Sequence, residues 1–186
     1  FVDTYTTLIE HKKRKIYSIE SDHHWTSLGA FYSYQKIADV MDLTKKDSDD
    51  YDIELVSNFF VGALSSESGY KTKKRQGKSI YTKDERQGIV NYEEEQKKTA
   101  TLYESEKLEE KDSTSILGGN HPLVKINTAS TSGKTLLIFK DSYANSFVPF
   151  LTSHFSKIIL VDPRYYYEDI DELMKSENVD EVLYLY

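Results

Sequence analysis

Apolar positions along the chain follow two periods, with a polar stretch between them. Leu28, Phe31, Tyr32, Ile37, Ala38 and Met41 recur at helical spacing behind a capping Thr26 or Ser27, which predicts a helix. Farther on, Thr135-Leu-Leu-Ile-Phe139 and Lys157-Ile-Ile-Leu-Val161 are short unbroken apolar runs of the kind that form strands buried on both faces. Ala144 to Ser153 and Tyr167 to Lys175 read as helices, and Glu181 to Tyr186 as a third strand. Strand, helix, strand, helix, strand predicts parallel β in a three-layer α/β sheet. Right-handed crossovers would then put all three strand C-terminal ends on one edge, where ligands sit in such folds.

The middle of the chain is different. Ser65 to Ser113 holds 11 basic and 11 acidic residues and few aliphatics. Short runs such as Ser79-Ile-Tyr-Thr82 and Gly88-Ile-Val-Asn-Tyr92 lie between charged turns, so residues 65–113 read as a charged insertion, β-rich or partly disordered. Tyr70, Tyr81, Tyr92 and Tyr103 stand 11 apart, but their flanking residues do not repeat.

Composition narrows the function classes. With 186 residues the chain is long enough for one domain with a real core. Acidic residues outnumber lysine and arginine, 31 to 24, which argues against a nucleic-acid-binding surface. The absence of cysteine excludes disulfides, thiol nucleophiles, cysteine zinc sites and iron–sulfur clusters. No apolar run approaches the ~20 residues of a spanning helix, so any membrane contact is expected through segments outside this chain. The sequence starts without Met and stops inside an apolar run, Val182-Leu-Tyr-Leu-Tyr186, so it reads as a piece of a longer protein.

Two constellations could carry chemistry. In Ser21-Asp22-His23-His24-Trp25-Thr26, an extended backbone would project Asp22 and His24 to one face, where the carboxylate accepts a ring N–H and fixes the tautomer. His23 would point the other way, towards the core or sheet edge. The same residues also suit a plain helix start, with Asp22 as cap and the histidines packing. In Lys140-Asp141-Ser142-Tyr143-Ala144-Asn145-Ser146, Ser142 falls where a buried strand turns into a helix, with helix amides near an oxyanion. A serine needs a base to become a nucleophile, and His24 would supply it. Alternatively Asp141 or Ser142 is only a helix cap.

Smaller features stay open. Gly118-Gly119-Asn120-His121-Pro122 offers either a close ligand approach with an amide donor or a tight turn. Arg164 follows the second strand, where it binds an anion or pairs with Asp162. Asp-His-His also resembles a phosphoesterase metal signature, but the further aspartates that two metals need are missing, so no metal site and no cofactor is expected.

These residues carry a resemblance. Asp22-His-His-Trp-Thr-Ser-Leu-Gly-Ala-Phe31, Gly118-Gly-Asn-His-Pro-Leu-Val-Lys-Ile126, Lys140-Asp-Ser-Tyr-Ala-Asn-Ser-Phe-Val-Pro-Phe-Leu151 and Asp162-Pro-Arg-Tyr-Tyr166 resemble the DHHW protein family of Gram-positive bacteria. That family is similar to the SGNH-hydrolase-like proteins that O-acetylate alginate and other surface polysaccharides. The resemblance implies a single SGNH-like domain over 1–186, flavodoxin-like and three-layered, with a mostly parallel sheet. It implies Ser142 as nucleophile, His24 as general base and Asp22 as its orienting acid, with Asn120 as oxyanion donor. Gly119, Tyr143 and Arg164 join Asn120 as candidate oxyanion or substrate-binding positions. Lys140 stands where those enzymes typically have a glycine, so one backbone oxyanion donor is arranged differently.

The expected activity is O-acetyl transfer or acetyl-ester hydrolysis on a cell-surface polysaccharide. The expected partners are that polysaccharide, an acyl donor and a membrane-bound acyltransferase, with no nucleic acid. The expected location is extracytoplasmic, at the cell surface or anchored through a preceding segment. The other reading is a catalytically weak carbohydrate-binding or assembly module on the same fold.

Overall fold

Strand-forming residues gather into two sheets among those the structure describes. It is a computed structural model, describing residues 1–11, 21–57, 60–69, 77–82, 88–103 and 116–186. The chain divides into two units, Phe1–Lys83 with Glu104–Ser115, and Asp84–Tyr103 with Ile116–Tyr186.

In the first unit, α1 (Thr4–Glu10) is followed by α2 (Ser27–Val40), β1 (Asp52–Ser57), α3 (Ala63–Ser68) and β2 (Lys78–Thr82). Thr26 caps α2, its hydroxyl accepting from the Gly29 N–H at 3.1 Å. The buried stripe of this helix is Ala30, Phe31, Tyr34, Ile37 and Ala38, at the spacing of one helix face. Phe31 stacks on Tyr81 of β2 at 5.6 Å, and Tyr51 meets both rings edge-on. The Ser27 hydroxyl donates to the Ser79 carbonyl at 2.6 Å, tying the start of α2 to β2. β1 and β2 pair antiparallel.

The second unit contains β3 (Ile89–Tyr92), β4 (Lys97–Thr99), β5 (Leu123–Asn127), β6 (Thr135–Lys140), β7 (Lys157–Val161), α4 (Ile170–Ser176) and β8 (Glu181–Leu185). They form one sheet in the order β4-β3-β5-β7-β6-β8. β6 runs parallel to β7 and to β8, with Phe139 opposite Val161 and Lys140 opposite Leu185, so these three strands end on one edge. Leu137 and Ile159 pack with Leu123, Val161 and Leu173 of α4. Their neighbours Leu136, Ile138, Ile158 and Leu160 point to the opposite face and are equally buried. β6 and β7 are therefore covered on both faces, which is why their sequences are unbroken apolar runs.

Two expectations need correcting. The sheet is mixed rather than mostly parallel, because β3–β4, β3–β5 and β5–β7 are antiparallel. Strands joined by a tight turn such as Glu93–Gln96 can only pair antiparallel, and that part of the chain has no crossover helix among its described residues. The helix expected over Ala144 to Ser153 is instead two 3-10 turns, Ser142–Ser146 and Val148–Leu151. Pro149 has no N–H to give an α-helix, and the chain closes through three-residue bonds such as Phe147 N–H to the Ala144 carbonyl. The polar middle supplies β2 to one unit and β3 and β4 to the other, with Tyr81, Tyr92 and Tyr103 buried. Tyr70, like residues 71–76, 83–87 and 104–115, lies outside the described residues.

Candidate active site

Asp22 and His24 come together in the first unit through a bend, not an extended stretch. Asp22 Oδ1 accepts from the His24 backbone N–H at 3.1 Å and lies 2.8 Å from His24 Nδ1. One buried carboxylate oxygen thus holds residue i+2 by backbone and ring together, an Asx-turn geometry. Burial would raise the Asp22 carboxyl, but these hydrogen bonds and the neighbouring imidazoles outweigh it and hold the group below its ordinary value. An ionised Asp22 only accepts, so Nδ1 carries a proton towards it, and the tautomer this favours has its lone pair on Nε2. That is the arrangement a general base requires.

His23 departs from its expected direction. It is exposed, its Nδ1 is 3.7 Å from Asp22 Oδ1, and its ring leans on His24 at 4.0 Å. The bend puts adjacent residues on the same side, where an extended backbone would have alternated them. Asp22, His23 and His24 each bring one potential metal-ligand atom within 4.8 Å of the others.

Two residues that sequence reasoning passed over support this loop. Gly62 donates its N–H to the Ser21 hydroxyl at 3.0 Å, and Ser65 N–H reaches the Ser21 carbonyl at 3.1 Å. Lys78 of β2 lies over the Phe60 ring at 5.2 Å. Burial lowers its ammonium to about 8, with the charge of Asp22 opposing.

Ser142 stands in the second unit, first in the 3-10 turn after β6, at the edge where the parallel strands end. Asp141 caps that turn, its carboxylate accepting from the Tyr143 N–H at 2.8 Å, so the capping role falls to the aspartate and not to Ser142. Beside it lies a polar cluster that the sequence did not announce. Lys140 is 1% exposed, and its Nζ donates to Asn145 Oδ1 at 2.7 Å and to Asn120 Oδ1 at 3.2 Å. Asn145 Nδ2 donates to the Gly119 carbonyl at 3.3 Å and to Asn120 Oδ1 at 3.4 Å. Burial lowers the Lys140 ammonium to about 8; Asp162 and Asp141 oppose the shift and Arg164 adds to it.

Gly118 and Gly119 form a turn with φ of 66° and 124°. A Cβ on Gly119 would meet nothing within 4 Å, so backbone conformation and not crowding selects glycine there. His121 bonds to the Leu117 carbonyl and to Glu95, a structural role. Arg164 is paired: its Nε and Nη2 donate to the two oxygens of buried Asp162 at 2.9 and 2.6 Å. Asp22 and His24 thus lie together in one unit, while Ser142, Tyr143, Asn120, Gly119 and Arg164 all belong to the other.

The fold is mixed α/β, with a six-stranded sheet of parallel and antiparallel pairs. The family model for DHHW proteins matches residues 2–161, and the chain belongs to that family. No curated protein matches the sequence. Among solved structures, it is similar to a DHHW family protein from Eubacterium siraeum, with 26% identity and a TM-score of 0.84 over 99% of this chain and 63% of that one. It is also similar to PatB1 from Bacillus cereus. The form carrying a sulfonyl adduct is 20% identical, with a TM-score of 0.77 over 96% of this chain and 65% of that one. A second PatB1 structure gives 0.75 at 20% identity, over 96% and 67%. The chain therefore spans less than two thirds of the first two relatives, at 63% and 65% of their lengths.

Proposed function

We propose that this protein transfers an acetyl group to or from a hydroxyl of a cell-surface polysaccharide, using Ser142 as nucleophile. The observation that carries the reading is the Asp22–His24 pair, a buried carboxylate that leaves Nε2 of the imidazole as the proton acceptor. Ser142 Oγ would attack the acyl carbonyl while its proton passes to His24. The bond to the donor's oxygen breaks, and the leaving group takes that proton. A sugar hydroxyl, or water, then attacks the acyl-enzyme, gives its proton to His24, and releases the serine, which takes the proton back. Asn120 would steady the oxyanion in both steps.

Two findings support this reading. The chain belongs to the DHHW family, and it shares its fold with PatB1, which carries a sulfonyl adduct in one structure. Sulfonyl groups become attached where a nucleophile attacks them, as an acyl group would. The reading extends to a three-layer SGNH-like arrangement, to a site of action outside the cytoplasm of a Gram-positive cell, and to a membrane-bound acyltransferase that supplies the acyl group. The test is acetyl transfer from p-nitrophenyl acetate to a soluble oligosaccharide, followed by mass spectrometry. Acetylated sugar, or faster release of acetate, that disappears in Ser142→Ala is the expected result. Turnover equal in wild type and Ser142→Ala would reject it.

A further inference from the structure

Strand β6 is apolar in its core, Leu136, Leu137 and Ile138, yet ends in a lysine that is 1% exposed. A buried ammonium is costly, so its surroundings should show what it does. An ammonium has only N–H donors, so both amides beside it must turn their oxygens towards it. Asn145 does so, which leaves its Nδ2 for the Gly119 carbonyl and for Asn120 Oδ1. Asn120 Oδ1 therefore accepts from Lys140 and from Asn145 together. A planar amide held by its oxygen presents its N–H2 on the other side, and Asn120 is exposed.

We propose that Lys140 is a positioning residue for acyl transfer, holding the Asn120 amide by its oxygen so that Nδ2 is offered as the oxyanion donor. The inference rests on the acyl-transfer reading above. It also gives a reason for lysine at this position: a smaller residue would let the Asn120 and Asn145 amides turn over. Lys140 faces Asp162, Asp141 and Arg164. Asp162 and Arg164 are locked to each other, so the protonation of Lys140 itself decides how firmly the two amides are held.

The test measures acetylation of Ser142 by p-nitrophenyl acetate, read as intact mass against time. Asn120→Ala is expected to slow it by about 10²- to 10³-fold, the usual effect of losing one oxyanion donor. Lys140→Met is expected to slow it by about tenfold or more with little change in the half-saturating ester concentration, and to add nothing in the Asn120→Ala background. A lysine that only props up the fold would slow both backgrounds alike. Equal slowing in both, or no slowing in the wild-type background, overturns the proposal.

A second measurement needs no variant at position 140. The side-chain amide resonances of Asn120, assigned by their loss in Asn120→Ala, should shift with a midpoint near the lysine's value of about 8. Resonances unmoved through that range overturn the link. If the wild type is not acetylated at Ser142 at all, the acyl-transfer reading fails, and the amide titration still decides whether Lys140 holds Asn120.

Discussion

Gly62 lies so close to Asp22 that a Cβ built on it would fall 2.4 Å from the Asp22 Cβ and 2.5 Å from the Ser21 carbonyl oxygen. Its φ of −76° suits any residue, so space and not backbone conformation requires glycine here. The glycine N–H also holds the Ser21 hydroxyl, which makes this contact the floor on which the Asp22–His24 pair is set. Gly62→Ala must push the Ser21–Asp22 backbone away. It is expected to cost about 1–3 kcal/mol, typical of overpacking, and to slow Ser142 acylation. A thermal melt and the acylation rate check both; a melt unchanged alongside full activity would contradict this role.

Asp22→Asn keeps the size of the side chain and removes its charge, so the imidazole loses the partner that fixes its tautomer. Acylation should fall by about 10³- to 10⁴-fold with the fold intact, as expected for loss of an orienting acid. The same group bears on stability in acid. Because the native carboxyl is held below its ordinary value, its contribution is complete above that value and is lost as pH falls through the native one. Wild type should lose more stability than Asp22→Asn on acidification through this range, as chemical denaturation at stepped pH would show.

Lys78 and Lys140 predict a trend on the alkaline side. Both are lowered by burial to about 8, so above that pH the unfolded chain binds more protons than the native one. Stability then rises with pH until ordinary lysines titrate. The denaturation midpoint should increase between about pH 7.5 and about pH 9.5, and less so in Lys140→Met. A midpoint that falls equally in both proteins would contradict the burial of these cations.

Arg164 is half-exposed, but its partner Asp162 is fully buried. Arg164→Ala would leave that carboxylate without its two side-chain donors, at a cost of about 1–3 kcal/mol. Arg164→Lys should restore only part of it, since an ammonium lacks the two-pronged geometry. Asp162→Asn in the Arg164→Ala background should recover some stability by removing the stranded charge. Urea denaturation of wild type, Arg164→Ala, Asp162→Asn and the double variant would measure this coupling, and additive effects would count against it.

The strands β6, β7 and β8 and the helix α2 were legible because their burial is written in period: unbroken apolar runs for the first two strands and a capped stripe for the helix. β5 is not legible as a strand, since Leu123-Val-Lys-Ile-Asn127 is short and starts beside a Gly-Gly turn. The 3-10 turns after β6 resemble a longer helix in sequence because apolar spacing says little about which backbone bond closes, and Pro149 decides it. At the candidate site, Asp22-x-His24 was visible as a pair of residue types two apart. The Lys140 cluster was not, because Asn120 lies twenty residues earlier in the chain and a lysine ending a strand looks solvent-facing in sequence.

Intact mass after exposure to a serine-reactive fluorophosphonate tests the central claim most directly. An activated Ser142 should take up one adduct in the wild type, none in Ser142→Ala, and little in His24→Ala because the base is gone. Equal labelling of the Ser142→Ala protein, or no adduct on folded wild type, would contradict the account.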